Sequence, residues 1–314
     1  MTLIRYFPSN TKIPFMKWAV ITVPLSAVLS ILSVVLFLTV GLSYGIDFRG
    51  GTVIELQTKE NPADLAMIRS TLSALNVGQV EVQEFGAPNV VLVRVERQEG
   101  GDEAQQRVIS LVRDAFGDSV DFRRTEVVGP RVSGELARNG VIGVLVALAA
   151  VLVYLWFRFE WQYAVGAIIT TAHDVLLTIG FFAVLQLEFN LSSIAAILTV
   201  LGYSLNDTVV VYDRIRENLR KYKKMPMREL IDLSINDTLS RTIMTSVTTL
   251  LALISLYFLG GEVLSSFVLA MIWGIVVGTF SSIFIAAPSL IALKLRPGNK
   301  PDKADGAPKT AEAS

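Results

Sequence analysis

From Trp18 to Leu42 the chain carries no charged side chain. Crossing a hydrocarbon core about 30 Å thick takes roughly 20 apolar residues in a helix, so this run can span a membrane. A secretory signal peptide has a shorter apolar core and a small-residue cleavage site. Tyr44-Gly45-Ile46-Asp47 is a poor site, so the run reads as a retained span. Further apolar stretches follow at Val141–Phe157, Trp161–Leu187, Phe189–Tyr212, Thr242–Leu259 and Val263–Leu293. Arg158-Phe159-Glu160 and Gly260-Gly261-Glu262 read as tight turns, and Asp213–Arg241 as a charged loop. The expected division is therefore an N-terminus at 1–17, a first span at 18–42 and a polar domain at 43–138. Spans near 139–157, 161–187, 189–212, 242–259 and 263–293 follow, with a loop at 213–241 and a disordered tail at 294–314. The composition agrees: 52% of residues are hydrophobic and 18% charged, with a mean hydropathy of +0.53.

Lys and Arg near span ends stay on the cytoplasmic side. Arg5, Lys12 and Lys17 precede the first span. Arg214, Arg216, Arg220, Lys221, Lys223, Lys224 and Arg228 follow the fourth, and Lys294, Arg296, Lys300 and Lys303 follow the sixth. The turns Gln186–Asn190 and Gly260–Glu262 carry neither residue. Both termini are expected on the cytoplasmic side and the 43–138 segment outside; in a bacterium that segment would be periplasmic and the chain a multi-pass protein of the inner membrane. The basic loop is read as a topology signal, with a lipid- or partner-binding patch as the alternative.

The 43–138 segment is polar enough to fold in water. Thr52–Gln57 alternates as a strand does. Asn61-Pro62 reads as a helix cap with proline in the first turn, and Leu65, Ile68, Leu72 and Leu75 recur at helical spacing. Gln79–Phe85 and Asn89–Glu96 read as strands joined by Gly86-Ala87-Pro88. Asp102 reads as the cap of a second helix burying Val108, Leu111, Val112 and Phe116, and Val120–Val128 as a last strand. Strand, helix, strand, strand, helix, strand is the split βαβ, or ferredoxin-like, order. The expected fold is thus an α-helical integral membrane protein of six transmembrane helices, with an external α+β ferredoxin-like domain between the first and second. Gly50-Gly51 precedes a strand rather than a helix, so it reads as a turn and not as a phosphate cradle.

Cysteine is absent and His173 is the single histidine. A disulfide framework and cysteine or polyhistidine metal centres are excluded, and no cofactor is implied. Lys+Arg and Asp+Glu are both 28, so net charge points to no nucleic acid. No nucleophile–base constellation stands out in the 43–138 domain, and the chain is not read as an enzyme. An intramembrane aspartyl protease using Asp174 and Asp207 would need a Gly-x-Gly-Asp context, which is missing.

A charge at a bilayer centre costs about 2.5–3.5 kcal/mol on insertion scales and usually faces the bundle interior. His173-Asp174, Asn206-Asp207 and Arg241 are such residues. Thr171, Asp174 and Thr178 share a helix face, as do Arg241, Thr245, Thr248 and Thr249. At 1.5 Å per residue, Asp207 lies roughly 27 Å along its span, level with Arg241, and the two could pair. An aspartate that titrates beside an arginine that does not suits a proton relay. The alternative is a static ion pair with the threonines as packing contacts. Ala270, Gly274, Gly278 and Ser282 form a small-residue line that permits close helix approach, within the chain or against a partner.

Several segments resemble the SecD/SecF family of export membrane proteins. Gly45-Ile46-Asp47-Phe48-Arg49-Gly50-Gly51-Thr52 is similar to its motif after the first span, and Val128-Gly129-Pro130-Arg131-Val132 to its entry into the second. Leu201-Gly202-Tyr203-Ser204-Leu205-Asn206-Asp207-Thr208, continuing to Asp213-Arg214, resembles its most diagnostic segment. Ser240-Arg241-Thr242 with Thr245-Ser246 and Thr248-Thr249 matches its fifth-span motif. The resemblance implies membership of the resistance-nodulation-division superfamily. It implies a complex with a separate SecD chain, assisting the SecYEG channel, the SecA motor and accessory subunits such as YajC. It further implies use of the proton-motive force on translocating preproteins. Asp207 and Arg241 match the family's proton-transport positions, and His173-Asp174 a recurring third-span feature. A passive scaffold subunit is the alternative.

Overall fold

The computed structural model describes residues 11–60, 62–78, 80–260 and 264–295. Helix α1 (Phe15–Thr39) leads through a short strand β1 (Ser43–Tyr44) and one turn of helix α2 (Ile46–Arg49) into a sheet domain. That domain comprises β2 (Gly51–Thr58), α3 (Leu65–Ala74), β3 (Val80–Phe85), β4 (Ala87–Val95), α4 (Gly101–Phe116) and β5 (Val120–Val128). The chain then re-enters the bundle through α5 (Pro130–Arg158), α6 (Trp161–Leu185), the short strand β6 (Glu188–Phe189), α7 (Leu191–Lys221), α8 (Met227–Leu259) and α9 (Ser265–Ser281). A π-helical turn (Ser282–Ala286) joins α9 to α10 (Ala287–Ala292). Pro288 lies just beyond that turn. Its ring clashes with the carbonyl four residues back and it has no N–H to donate, which accounts for the local widening.

Among the described residues, six helical segments are long and apolar enough to span a membrane, the last being 265–292 with its π turn. They form the six-helix membrane fold, with the sheet domain inserted after the first. About half of the apolar stretch is buried in α6, α7 and the last span (50%, 50% and 56%), against 11%, 6% and 17% in α1, α5 and α8. The first three are therefore the centre of the bundle, and the others show apolar faces outward.

The sheet order is β3-β4-β2-β5 and every pairing is antiparallel. This is the ferredoxin-like arrangement. Helices α3 and α4 cover one face, where Ile54, Leu56, Ile68, Leu72, Val91, Val93, Val108, Val112 and Phe116 share a core. Thr52 on that face donates to Gln105 Oε1 of α4 at 2.8 Å. Gly51 opens β2 at φ 129°, and a Cβ there would sit 2.6 Å from the Val95 carbonyl oxygen. Gly50 also has a positive φ, of 73°. The pair is thus a turn that lets β2 press against β4.

Several local expectations are corrected. Asp64 caps α3, accepting from the Met67 amide at 2.9 Å; Asn61 lies outside the described residues. Helix α4 begins at Gly101 behind Gly100, whose φ of 119° suits glycine, so position 102 is inside the helix and not its cap. Leu111 is exposed rather than in the core. Helix α5 starts at Pro130, well before 139, because proline is preorganised for a first helical turn. The expected loop at 213–241 is almost wholly helical: α7 runs to Lys221, α8 starts at Met227, and 222–226 connect them. Ile215 of α7 and Leu230, Ile231 and Ile235 of α8 belong to one buried cluster. Asn218 donates to Ser234 Oγ at 2.9 Å, and Arg214 pairs with Asp237 at 2.9 Å. The charges are the solvated faces of a helical hairpin. Of the turn expected at Gly260–Glu262 and the tail expected at 294–314, residues 261–263 and 296–314 lie outside the described residues.

Candidate functional site

Close helix contact builds the polar centre. A Cβ placed on Gly274 of α9 would meet Val200 Cγ2 of α7 at 2.2 Å, and one on Gly278 would meet Ser204 Cβ at 2.9 Å. Ala270 and Ser282 of the same line are fully buried. The small-residue line therefore packs within the chain, against α7. With α7 and α9 this close, Ser204 and Ser281 both reach Asp174 Oδ2 of α6, donating at 2.5 and 2.9 Å. Asp174 Oδ1 meets His173 Nδ1 at 2.9 Å. Asp174 is 0% exposed and lies mid-helix, roughly 20 Å from the start of α6 at 1.5 Å per residue. Three side-chain contacts satisfy a carboxylate that lipid or an apolar core could not hold alone. Thr178 on the same face is buried and donates to the Asp174 carbonyl, while His173 Nε2 is buried without a partner.

Asp207 lies one turn further along α7 and is 2% exposed. Its Oδ2 has no hydrogen-bond partner, nor have Thr208 Oγ1 and Thr242 Oγ1, all three buried. Arg241 attracts Asp207 electrostatically, but its side chain is exposed, and among the described residues the two form no ion pair. The alternative reading, a static ion pair between the two, is therefore not made among the described residues. The polar face of α8 is also turned by about one residue from expectation. Thr242 and Ser246 are buried, whereas Arg241 and Thr248 are exposed and Thr245 and Thr249 half-buried. Ser246 shares a hydrogen bond with Thr279 of α9 at 2.7 Å, and Tyr203 with Thr249 at 3.1 Å. Ser281 and Thr279 are the site residues that sequence reasoning missed. Their small polar side chains in an apolar run were the available signal. Asn206 and Gly202 are exposed and do not join the centre. Asp213 instead pairs with Arg158 at 3.1 Å, and Arg214 with Glu217 at 2.7 Å.

The segment after α1 does a second job. Asp47 Oδ2 accepts from the Leu191 amide at 2.9 Å, adding to the cap that Asn190 provides at the start of α7. Strand β1 pairs with β6 in parallel, Ser43 opposite Glu188 and Tyr44 opposite Phe189. Phe48 stacks on Phe189 with ring centroids 5.7 Å apart, and the Arg49 guanidinium lies over Tyr44 at 5.9 Å. From the sheet, Arg94 reaches down to an ion pair with Glu188. A cleft of about 640 Å³ separates the open sheet face from this end of the bundle, with Glu81, Arg94, Glu126, Asp47 and Glu188 on its walls.

Burial holds the Glu188 carboxyl above its ordinary value of 4.5; Arg94 opposes this, while Asp47, Glu81 and Glu126 push the same way as burial. A carboxyl raised on folding contributes stability that is fully present below its ordinary value and is lost as pH rises through the raised one. The contact between sheet domain and bundle should therefore tighten on mild acidification. Amide exchange at Gly45, bonded to the Phe189 carbonyl at 2.9 Å, should slow beyond the intrinsic pH effect. Glu188→Gln should remove that extra slowing; its persistence in the variant would assign it to another group.

Comparison with known proteins places this architecture. Residues 108–296 match the family described as protein export membrane protein SecD/SecF, C-terminal, and residues 35–61 match the SecD/SecF GG motif. The chain is 47% identical to the protein translocase subunit SecDF of Brucella abortus, over 94% of this chain and 39% of that protein. It is 42% identical to the protein translocase subunit SecF of Rhodobacter capsulatus, over 96% of this chain and 95% of that one. The crystal structure of SecDF from Thermus thermophilus, a translocon-associated membrane protein, superposes with a TM-score of 0.82 at 37% identity. That match covers 92% of this chain and 39% of the other. The chain thus spans well under half of its SecDF relatives and nearly all of a SecF relative.

Proposed function

The chain belongs to the SecD/SecF family of protein-export membrane proteins, and from that premise we propose that it is an accessory subunit of the Sec translocase. It works beside a separate SecD-type chain and draws on the proton-motive force to promote late stages of preprotein movement across a bacterial inner membrane. The observation that carries this reading is Asp207, buried in an apolar bundle with one carboxylate oxygen unpartnered. Intramembrane ionisable residues of this kind mark ion and proton paths. A potential of 100 mV supplies about 2.3 kcal/mol per proton, enough to bias a two-state movement by more than tenfold.

The Lys and Arg distribution supports cytoplasmic termini and a periplasmic sheet domain. The exposed apolar faces of α1, α5 and α8 offer room for the SecD-type half as well as lipid, and Arg241 stands on such an outward face. SecYEG, SecA and YajC are the further partners this role implies. The role assigns transport to the chain and no catalytic chemistry.

The test is reconstitution with the SecD-type partner in liposomes under a proton gradient. Proton flux that rises when preprotein engages is expected. A tight membrane under all conditions would instead favour a scaffold subunit.

A further inference from the structure

At the bundle end away from the sheet domain, α5 finishes beside the part of α7 that extends past the apolar core. A cleft of about 630 Å³ lies there, lined by Arg158, Asp213, Arg216, Glu217, Arg220 and Lys221. Its two carboxylates are already engaged. Asp213 accepts from Arg158 at 3.1 and 3.3 Å, and Glu217 is held at 2.7 Å by Arg214, which does not line the cleft. Arg216 is half-buried, and among the described residues Arg216, Arg220 and Lys221 form no ion pair. The Lys221 ammonium rests over the Tyr222 ring at 5.1 Å. Exposed Glu160 is a further acid nearby. The cleft therefore has a positive surplus with donors to spare.

Its level relative to the membrane is marked independently. Tyr154, Trp156 and Phe157 of α5 and Trp161 of α6 are 57%, 67%, 84% and 53% exposed, on either side of Arg158. Exposed Trp and Tyr gather where apolar core meets headgroups. Basic pockets between helices at that depth fit phosphate-bearing headgroups, and Arg matches phosphate with a planar fork of donors.

We propose that this cleft binds the phosphate of an anionic phospholipid headgroup, with Arg216, Arg220 and Lys221 as its donors and the acyl chains along the exposed face of α5. Arg158, already paired, orients Asp213 away from the phosphate. The site does not depend on proton transport.

The full chain is placed in phosphatidylcholine nanodiscs, and phosphatidylglycerol is titrated in, with bound lipid counted by native mass spectrometry. Phosphatidylglycerol should be retained in preference to phosphatidylcholine. Each cation neutralised in the series Arg216→Gln, Arg220→Gln, Lys221→Gln should weaken retention roughly fivefold. The pair Lys223→Gln and Lys224→Gln, outside the cleft, should change it far less. The single variant Arg216→Gln keeps the question decidable if the triple variant fails to fold. Equal losses from the control pair, or a triple variant that folds and keeps its lipid preference, would overturn the proposal. So would displacement of the lipid by millimolar glycerol phosphate, which would make this a site for free phosphate.

Discussion

Asp207→Asn should abolish gradient-dependent export while leaving the chain inserted and bound to its partner. Asparagine keeps the volume of the side chain, which is 2% exposed, but cannot ionise. Because Asp207 makes no ion pair here, the change leaves no buried cation stranded, and the usual cost of breaking a buried pair, about 3–5 kcal/mol, does not arise. Export should fall to the level of membranes whose gradient has been collapsed, roughly tenfold or more for one proton's worth of bias. Arg241→Met removes an exposed cation that acts on Asp207 through its field, so it too should assemble and fail to export. The double variant should assemble and stay inactive. Its recovery of export would show that the two residues matter only as a structural pair. Asp174→Ala should behave differently. It strips the acceptor from Ser204, Ser281 and His173 and leaves buried donors unmet at about 1–3 kcal/mol each, so assembly itself should suffer.

Substituting Gly274 should have the largest structural effect. A bare Cβ at that position would lie 2.2 and 2.5 Å from the two Val200 methyl carbons, far inside the optimal carbon–carbon separation of about 3.5–4.0 Å. Gly274→Ala must push α9 away from α7, and Gly274→Leu must push it further. Overpacking in a dense core costs about 1–3 kcal/mol or more. Separation would also pull Ser204 and Ser281 off Asp174, so the leucine variant should lose the assembled bundle altogether. Thermal unfolding in detergent should show a lowered midpoint for alanine and no cooperative transition for leucine. Gly202→Ala is the control: nothing lies within 4 Å of its Cβ, so stability should not change despite its place in the most diagnostic motif. A wild-type midpoint for Gly274→Leu would mean that α7 and α9 do not meet as described.

The spans and the order of the sheet were legible in the sequence because each rests on one-dimensional periodicity. An uninterrupted apolar run such as Trp18–Leu42 has no other stable use than a span, and alternation in Thr52–Gln57 fixes which side of β2 is buried. Val120–Val128 fell on the observed strand for the same reason. The helical hairpin of 213–241 was missed because charge density resembles a loop. Its four buried apolar residues come from two helices, and no single window contains them all.

Helix rotation was the property that only tertiary structure could decide. A residue advances about 100° around an α-helix, so a rotation of α8 by about one residue exchanges Arg241 for Thr242 at the centre. Thr245 and Thr248 did not fix that turn, because each satisfies itself on its own helix: Thr245 donates to the Arg241 carbonyl at 2.7 Å and Thr248 to the Met244 carbonyl at 2.8 Å. What fixes it is the contact of Ser246 with Thr279 and of Tyr203 with Thr249. The Asp174 centre has the same origin. The sequence marked the aspartate as costly and therefore inward-facing, but its partners Ser204 and Ser281 lie 30 and 107 residues away. They meet it only because Gly274 and Gly278 let α9 come within van der Waals contact of α7.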